Sequence, residues 1–146
     1  MQRTVPSILY HASPNGDLTV LRPQRRHTPG TERDPPEGVY ASDHPGYSIA
    51  HGFPWFSREG LRLSLDDRTG PMLVVPHALR HRLDAQVTLY TVPADRFQLL
   101  PHVIPYGHNF RSVEEVPILT SMTFSSIVVG IEHFGGHVHF RDPNEI

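Results

Sequence analysis

The sequence predicts a small α+β domain of short, mixed and largely antiparallel strands with few short helices. Fifteen prolines and eleven glycines are scattered without period through 146 residues, which argues against long uninterrupted helices. Leu61, Leu63 and Leu65 alternate with Arg62, Ser64 and Asp66, the period of a half-exposed strand. A β-branched run from Gln86 to Val92 and several short apolar clusters, each bounded by turn residues, add further strands. With 38% hydrophobic residues, positions 1–146 read as one domain, long enough to bury a core without covalent staples.

Composition narrows the functional classes. The absence of cysteine excludes a disulfide framework, a thiolate metal site and a cysteine nucleophile. No apolar run approaches the length that spans a bilayer, and the N-terminal MQRTVPSILYHAS lacks the apolar block of a signal peptide; a soluble, cytoplasmic protein with no membrane partner is the expectation. A formal charge of −2 gives no general attraction to nucleic acid. All thirteen basic residues are Arg and none is Lys, and the planar guanidinium fork keeps anionic small ligands within reach.

Along the chain, Ser7 to His11 reads as the first strand, and Pro14-Asn15-Gly16 as a turn before a short extended piece at Leu18 to Leu21. Pro23 to Glu37 holds four Pro and three Arg with almost nothing apolar, the composition of a mobile solvated loop placed to close over a ligand. Gly38 to Gly52 (GVYASDHPGYSIAHG) organises the rest: a strand ending near Tyr40, a Pro45-Gly46 turn, then helical turns over Tyr47 to His51. A strand that hands over to a helix sets its last side chains at the mouth of a cleft, where Tyr40 can offer a ring face and the helix its first N–H groups. Phe53 to Phe56, with the only Trp, is expected to cap one end of the core. After the Leu61 strand, Asp66, Asp67 and Gly70 mark a turn, Met72 to Val75 a strand, and Pro76 to Leu83 helical turns. Pro93 to Phe97 reads as a turn into a docked segment, and Phe110 to Val113, Ile118 to Phe124, Ser126 to Ile131 and Val138 to Phe140 as extended candidates.

Several chemistries lack their motifs. Among eleven histidines, His77 and His81 are four apart and His133, His137 and His139 are close in sequence, but no Glu completes a metalloprotease pattern and Gly135-Gly136 reads as a hairpin turn; no metal is expected. There is no G-x-G-x-x-G after a strand, no G-K-[ST], and no serine elbow.

What remains is His11 and Tyr40, each near the C-terminal end of a short strand. Leu9-Tyr10-His11-Ala12-Ser13, Gly38-Val39-Tyr40-Ala41-Ser42, Ser48-Ile49-Ala50-His51 and Asn109-Phe110-Arg111-Ser112 occur in that order. In these patches the chain resembles the ADP-ribosyltransferase superfamily, the fold shared by mono-ADP-ribosyltransferase toxins, poly(ADP-ribose) polymerases and small rifamycin ADP-ribosyltransferases. The resemblance implies a split sheet with His11 and Tyr40 facing one cleft, and NAD as substrate. It implies nicotinamide stacked on Tyr40, its carboxamide held by the Ala12 backbone and the Ser48 hydroxyl with Ser13 beside them, His11 donating to a ribose hydroxyl, and His51 in the place of a second stacking tyrosine. The implied activity is mono-ADP-ribosylation of a protein or small-molecule acceptor; alternatives are a catalytically silent NAD or nucleotide-binding module, and transfer of an RNA 2′-phosphate to NAD.

Glycosidic cleavage of NAD develops positive charge on the ribose, so a nearby carboxylate lowers the barrier. Here the chain departs from the family. In the register that best fits Phe110 to Phe124 the position of the catalytic Glu is Asn109, whereas a shifted register brings Glu114 or Glu115 to the strand start and puts Pro117 inside the strand. The rifamycin-modifying enzymes use an Asp from the preceding segment, which here reads Phe97-Gln98-Leu99-Leu100-Pro101, without an acid.

Overall fold

The computed structural model of the chain describes residues 7–23, 38–53, 59–66, 70–104 and 107–144. Its largest element is a six-stranded sheet in the order β10 (Thr120–Phe124), β6 (Val87–Pro93), β1 (Ile8–Ser13), β3 (Val39–Ser42), β8 (Gly107–Ser112) and β7 (Gln98–Ile104). All neighbours in this sheet run antiparallel. A second sheet joins β11 (His137–Arg141), β5 (Gly70–Pro76) and β4 (Arg62–Asp66), with β11 parallel to β5. A short ribbon pairs β2 (Val20–Leu21) with β9 (Val116–Pro117). Helices α1 (Pro45–Ala50) and α2 (Ile127–His133) and a 3-10 helix at His77–Asp84 complete an α+β, largely antiparallel architecture with few short helices.

Strand alternation divides the core into two layers. Ala12, Val87 and Leu89 face one side, where they pack with Ile49 of α1, Leu73 and Val75 of β5, Phe124, and Ile127 and Ile131 of α2. Leu9, Tyr90 and Val92, one residue out of phase, face the other side with Leu21, Val39, Ala41, Phe110 and Val116. The six-stranded sheet is thus buried on both faces at its centre, which is why β6 reads as a nearly continuous apolar run. Tyr90 is 1% exposed, and its hydroxyl stays satisfied by donating to the Asn15 carbonyl (2.6 Å) and accepting from Leu18 N (3.2 Å). That pair of bonds pins the turn after β1 to the core.

Local chemistry explains where the structure departs from the sequence reading. Pro45 and Gly46 lie inside the first turn of α1 and do not precede it: Pro suits the first helical position because its missing N–H would have no partner there. Ser126 to Ile131 is helical, since the Ser126 hydroxyl caps α2 by accepting from Val129 N at 3.1 Å, and this local bond outweighs the β-branched composition. The two helices approach closely at Gly130, where a Cβ would sit 3.0 Å from Ile49 Cγ2. Gly135, at φ +82°, ends α2 and leads to β11, so Gly135-Gly136 is a helix-to-strand connection and not a hairpin. The segment after Phe97 is strand β7, which tolerates Pro101 because it is an edge strand with a register shift between Leu99 and Val103. The loop expected at Pro23 to Glu37, apart from Pro23 itself, and the cap expected beyond Phe53 lie outside the described residues. No helix among the described residues is long and apolar enough to cross a membrane.

Candidate functional site

The site is built where β1 and β3 part. Their ladder holds one paired position, Tyr10 opposite Ser42. On its other side β1 is paired along its whole length, from Ile8 opposite Pro93 to Ser13 opposite Thr88. Ala94 N donates to the Ser7 carbonyl at 3.1 Å, one step beyond Ile8. Antiparallel bonding alternates, so Leu9, His11 and Ser13 bond β6, while Tyr10 and Ala12 turn their N–H and C=O groups towards β3. Continued in register, the ladder would set Ala12 against Tyr40. Instead the His11 ring takes the Tyr40 carbonyl, with Nδ1–H donating at 2.6 Å. The imidazole thus reaches across the seam from its own strand to a carbonyl of β3, where the paired ladder does not continue to Ala12 and Tyr40.

The expectation that the His11 and Tyr40 side chains face one cleft is corrected by the strand alternation: the two residues meet only through the His11 ring and the Tyr40 carbonyl. Alternation assigns the Tyr40 side chain to the face that carries Tyr10 and Ser42, and His11 to the face of Leu9 and Ala41, with its ring drawn towards the strand seam. Tyr40 is half-buried, while its neighbours Val39 and Ala41 are buried.

Helix α1 closes one end of the parting. Ser48, 7% exposed, donates its hydroxyl to the Tyr10 carbonyl at 2.9 Å and shares a 2.6 Å bond with the Ser42 hydroxyl, which also accepts from His44 N at 3.2 Å. One residue from each of β1, β3 and α1 is clipped together by these two serines. His44 is the N-cap of α1, its Nδ1 accepting from Tyr47 N at 3.3 Å, a job usually done by Ser, Thr, Asp or Asn. His51 closes the helix: its Nδ1–H donates to the Tyr47 carbonyl at 3.1 Å, and its exposed ring lies 4.6 Å from that of Tyr47. Ser13 Oγ accepts from Asn15 N at 3.1 Å and shapes the turn after β1.

The β3–β8 register separates the two candidates for the acidic position. Asn109 lies opposite Ser42, and Ser112 lies opposite Val39. Three residues of strand, roughly 10 Å at ~3.3 Å per residue, therefore lie between Asn109 and Ser112. Glu114 is beyond Ser112, in a turn where its N–H and carbonyl both bond the Ser112 hydroxyl. Glu115 reaches Arg22 at 3.5 Å on the surface. Asn109 is thus paired with Ser42, and Glu114 lies beyond the far end of the paired segment. Among the described residues no group of three or more His, Asp or Glu could hold a metal ion.

Residue type and position single out His11 and Tyr40, and the family resemblance adds Ala12, Ser13, Ser48 and His51. Neither singles out His44 or the Tyr10 carbonyl, because histidine is a rare N-cap and a carbonyl leaves no trace in composition. No protein-family model, curated protein or solved structure matches the chain.

Burial holds the His44 imidazole below its ordinary value of 6.5, partly offset by the charge of Asp43. The sign follows: as pH falls below about 6.5 the unfolded chain takes up a proton that the folded cap resists, so folding stability declines down to the lowered native value. His44→Asn keeps a side-chain acceptor and removes the titration. In urea denaturation at pH 7.5, 6 and 5, the midpoint of His44→Asn should gain on the parent as the pH drops; parallel curves would remove His44 from the pH response.

Proposed function

We propose that the chain is an NAD-binding domain of the ADP-ribosyltransferase type, acting as a mono-ADP-ribosyltransferase on a protein or small-molecule acceptor. The reading is carried by the His11 ring on the Tyr40 carbonyl, at a seam where the paired ladder stops at Tyr10 and Ser42 and the Ala12 N–H and C=O turn towards β3. An adjacent donor and acceptor of this kind match the two polar ends of a primary carboxamide such as that of nicotinamide. Tyr40, beside the seam, supplies a stacking face.

The contacts adjust the expected roles. With Nδ1–H committed to Tyr40, Nε2 of a neutral His11 is an acceptor, so a ribose hydroxyl donates to His11, the reverse of the direction first assigned. Ser48 acts first as the clip that fixes the Tyr10 carbonyl, and it meets a carboxamide only by exchanging a bond with Ser42. His51, exposed at the end of α1, serves as the outer ring.

Asn109 opposite Ser42 favours a second reading, a catalytically silent NAD module, because a neutral amide holds a hydroxyl but contributes little against a developing cation. RNA 2′-phosphate transfer to NAD draws no support from the described contacts. Incubation with NAD, following nicotinamide release beside calorimetric binding, separates the readings. Slow release with binding is expected of a transferase lacking an acceptor; binding with no release over days supports the silent module, and no binding removes both.

A further inference from the structure

We infer that the chain self-associates through the β10 edge of its large sheet, pairing antiparallel with β10 of a second copy about a two-fold axis at Met122. In β6, Thr88, Tyr90 and Val92 bond β1, so Val87, Leu89 and Thr91 bond Phe124, Met122 and Thr120 of β10. Ser121 and Thr123 therefore turn their N–H and C=O groups outward, along the open edge. Strand edges are commonly guarded by charge, proline or a bulge. Three of the four edges of the two larger sheets carry such guards: Pro101 and a register shift on β7, Arg62 and Asp66 on β4, and His137, His139 and Arg141 on β11. The fourth carries no charge and no proline within its strand, its one irregularity being the bond from Leu119 N to the Thr91 carbonyl (2.8 Å) just before Thr120. No charged residue occurs from Val116 to Ile131, and Leu119 and Met122 are 53% and 49% exposed.

The edge is complementary to itself. A two-fold axis at Met122 sets Ser121 of one copy opposite Thr123 of the other, and each such pair exchanges two backbone hydrogen bonds. Met122 meets Met122 at the centre as a non-bonded pair, where side chains lie closest and no like charges oppose. The sheet then runs through twelve strands, twice the six of one copy. The β1–β3 seam is left outside the interface because β6 stands between β10 and β1. An interface confined to one short strand and its flanks is small, so a weak dimer is expected.

Analytical ultracentrifugation of the full chain across a concentration series should show a reversible monomer–dimer equilibrium. Backbone hydrogen exchange at Ser121 and Thr123 should slow as concentration rises. Met122→Lys sets two cations face to face and should weaken dimerisation about tenfold or more while leaving the circular dichroism native. A chain that stays monomeric throughout overturns the inference. So does a dimer indifferent to Met122→Lys, or exchange at Ser121 and Thr123 that is slow at every concentration. If Met122→Lys does not fold, the exchange series on the parent chain decides alone.

Discussion

Asn109→Glu is expected to raise the rate of nicotinamide release from NAD by about 10²-fold, the scale on which one placed electrostatic group acts on a charged transition state. The register sets position 109 against Ser42, at the end of β3 from which the chain passes into α1. A carboxylate there would stand beside the proposed nicotinamide ribose, where positive charge appears only as the glycosidic bond breaks. The gain should fall on turnover with NAD affinity nearly unchanged, because the ground state carries no new charge on the ribose. Water is the readiest acceptor, so hydrolysis is the reaction to follow. Glu114→Gln should move neither parameter, since Glu114 lies past the opposite end of the paired segment. A Glu114→Gln variant that binds NAD and loses all turnover, beside an Asn109→Glu variant that gains none, would transfer the acidic role to Glu114.

His11→Ala is expected to lower NAD affinity by about 10²-fold or more while costing little stability. Removing the ring releases the Tyr40 carbonyl, and the Ala12 N–H, already directed at β3, can then pair with it. The seam zips shut. A new backbone bond offsets the lost side-chain bond, so the thermal midpoint should stay within a few degrees of the parent. Binding suffers twice, through the lost ribose contact and through the donor and acceptor consumed in the closed ladder. Calorimetry with NAD, beside thermal denaturation, separates this from a general folding defect. Affinity that survives at parental strength would remove His11 from the site.

The α+β architecture was legible because its signals are periodic. Leu61 to Asp66, Gln86 to Val92 and Ser7 to His11 alternate or cluster as strands do, and each lies in a strand apart from its first residue. The misses share a cause: competition between composition and a single local bond. The Ser-Ile-Val-Val-Gly-Ile run has the residues of a strand and is a helix because Ser126 caps it. Segment 98–104 contains a proline and is still a strand, because it pairs only along one edge. In the site, residue types point to His11 and Tyr40 and the family resemblance adds Ala12, but neither says how they work together. The contact that joins them runs from a ring nitrogen to a main-chain carbonyl, and Ala12 contributes only main-chain groups. Ser48 enters through the family resemblance alone, and its hydroxyl is turned inward to Tyr10 and Ser42, a consequence of α1 packing that no short motif encodes.

The most direct measurement of the interrupted β1–β3 seam is a nuclear magnetic resonance titration of the full chain with NAD and, separately, with nicotinamide. The proposed carboxamide seat predicts that both ligands shift the backbone amide of Ala12 and the resonances of His11 and Tyr40, and slow hydrogen exchange at Ala12. Saturating NAD that leaves Ala12, His11 and Tyr40 unmoved, or that shifts only residues remote from the seam, would contradict it.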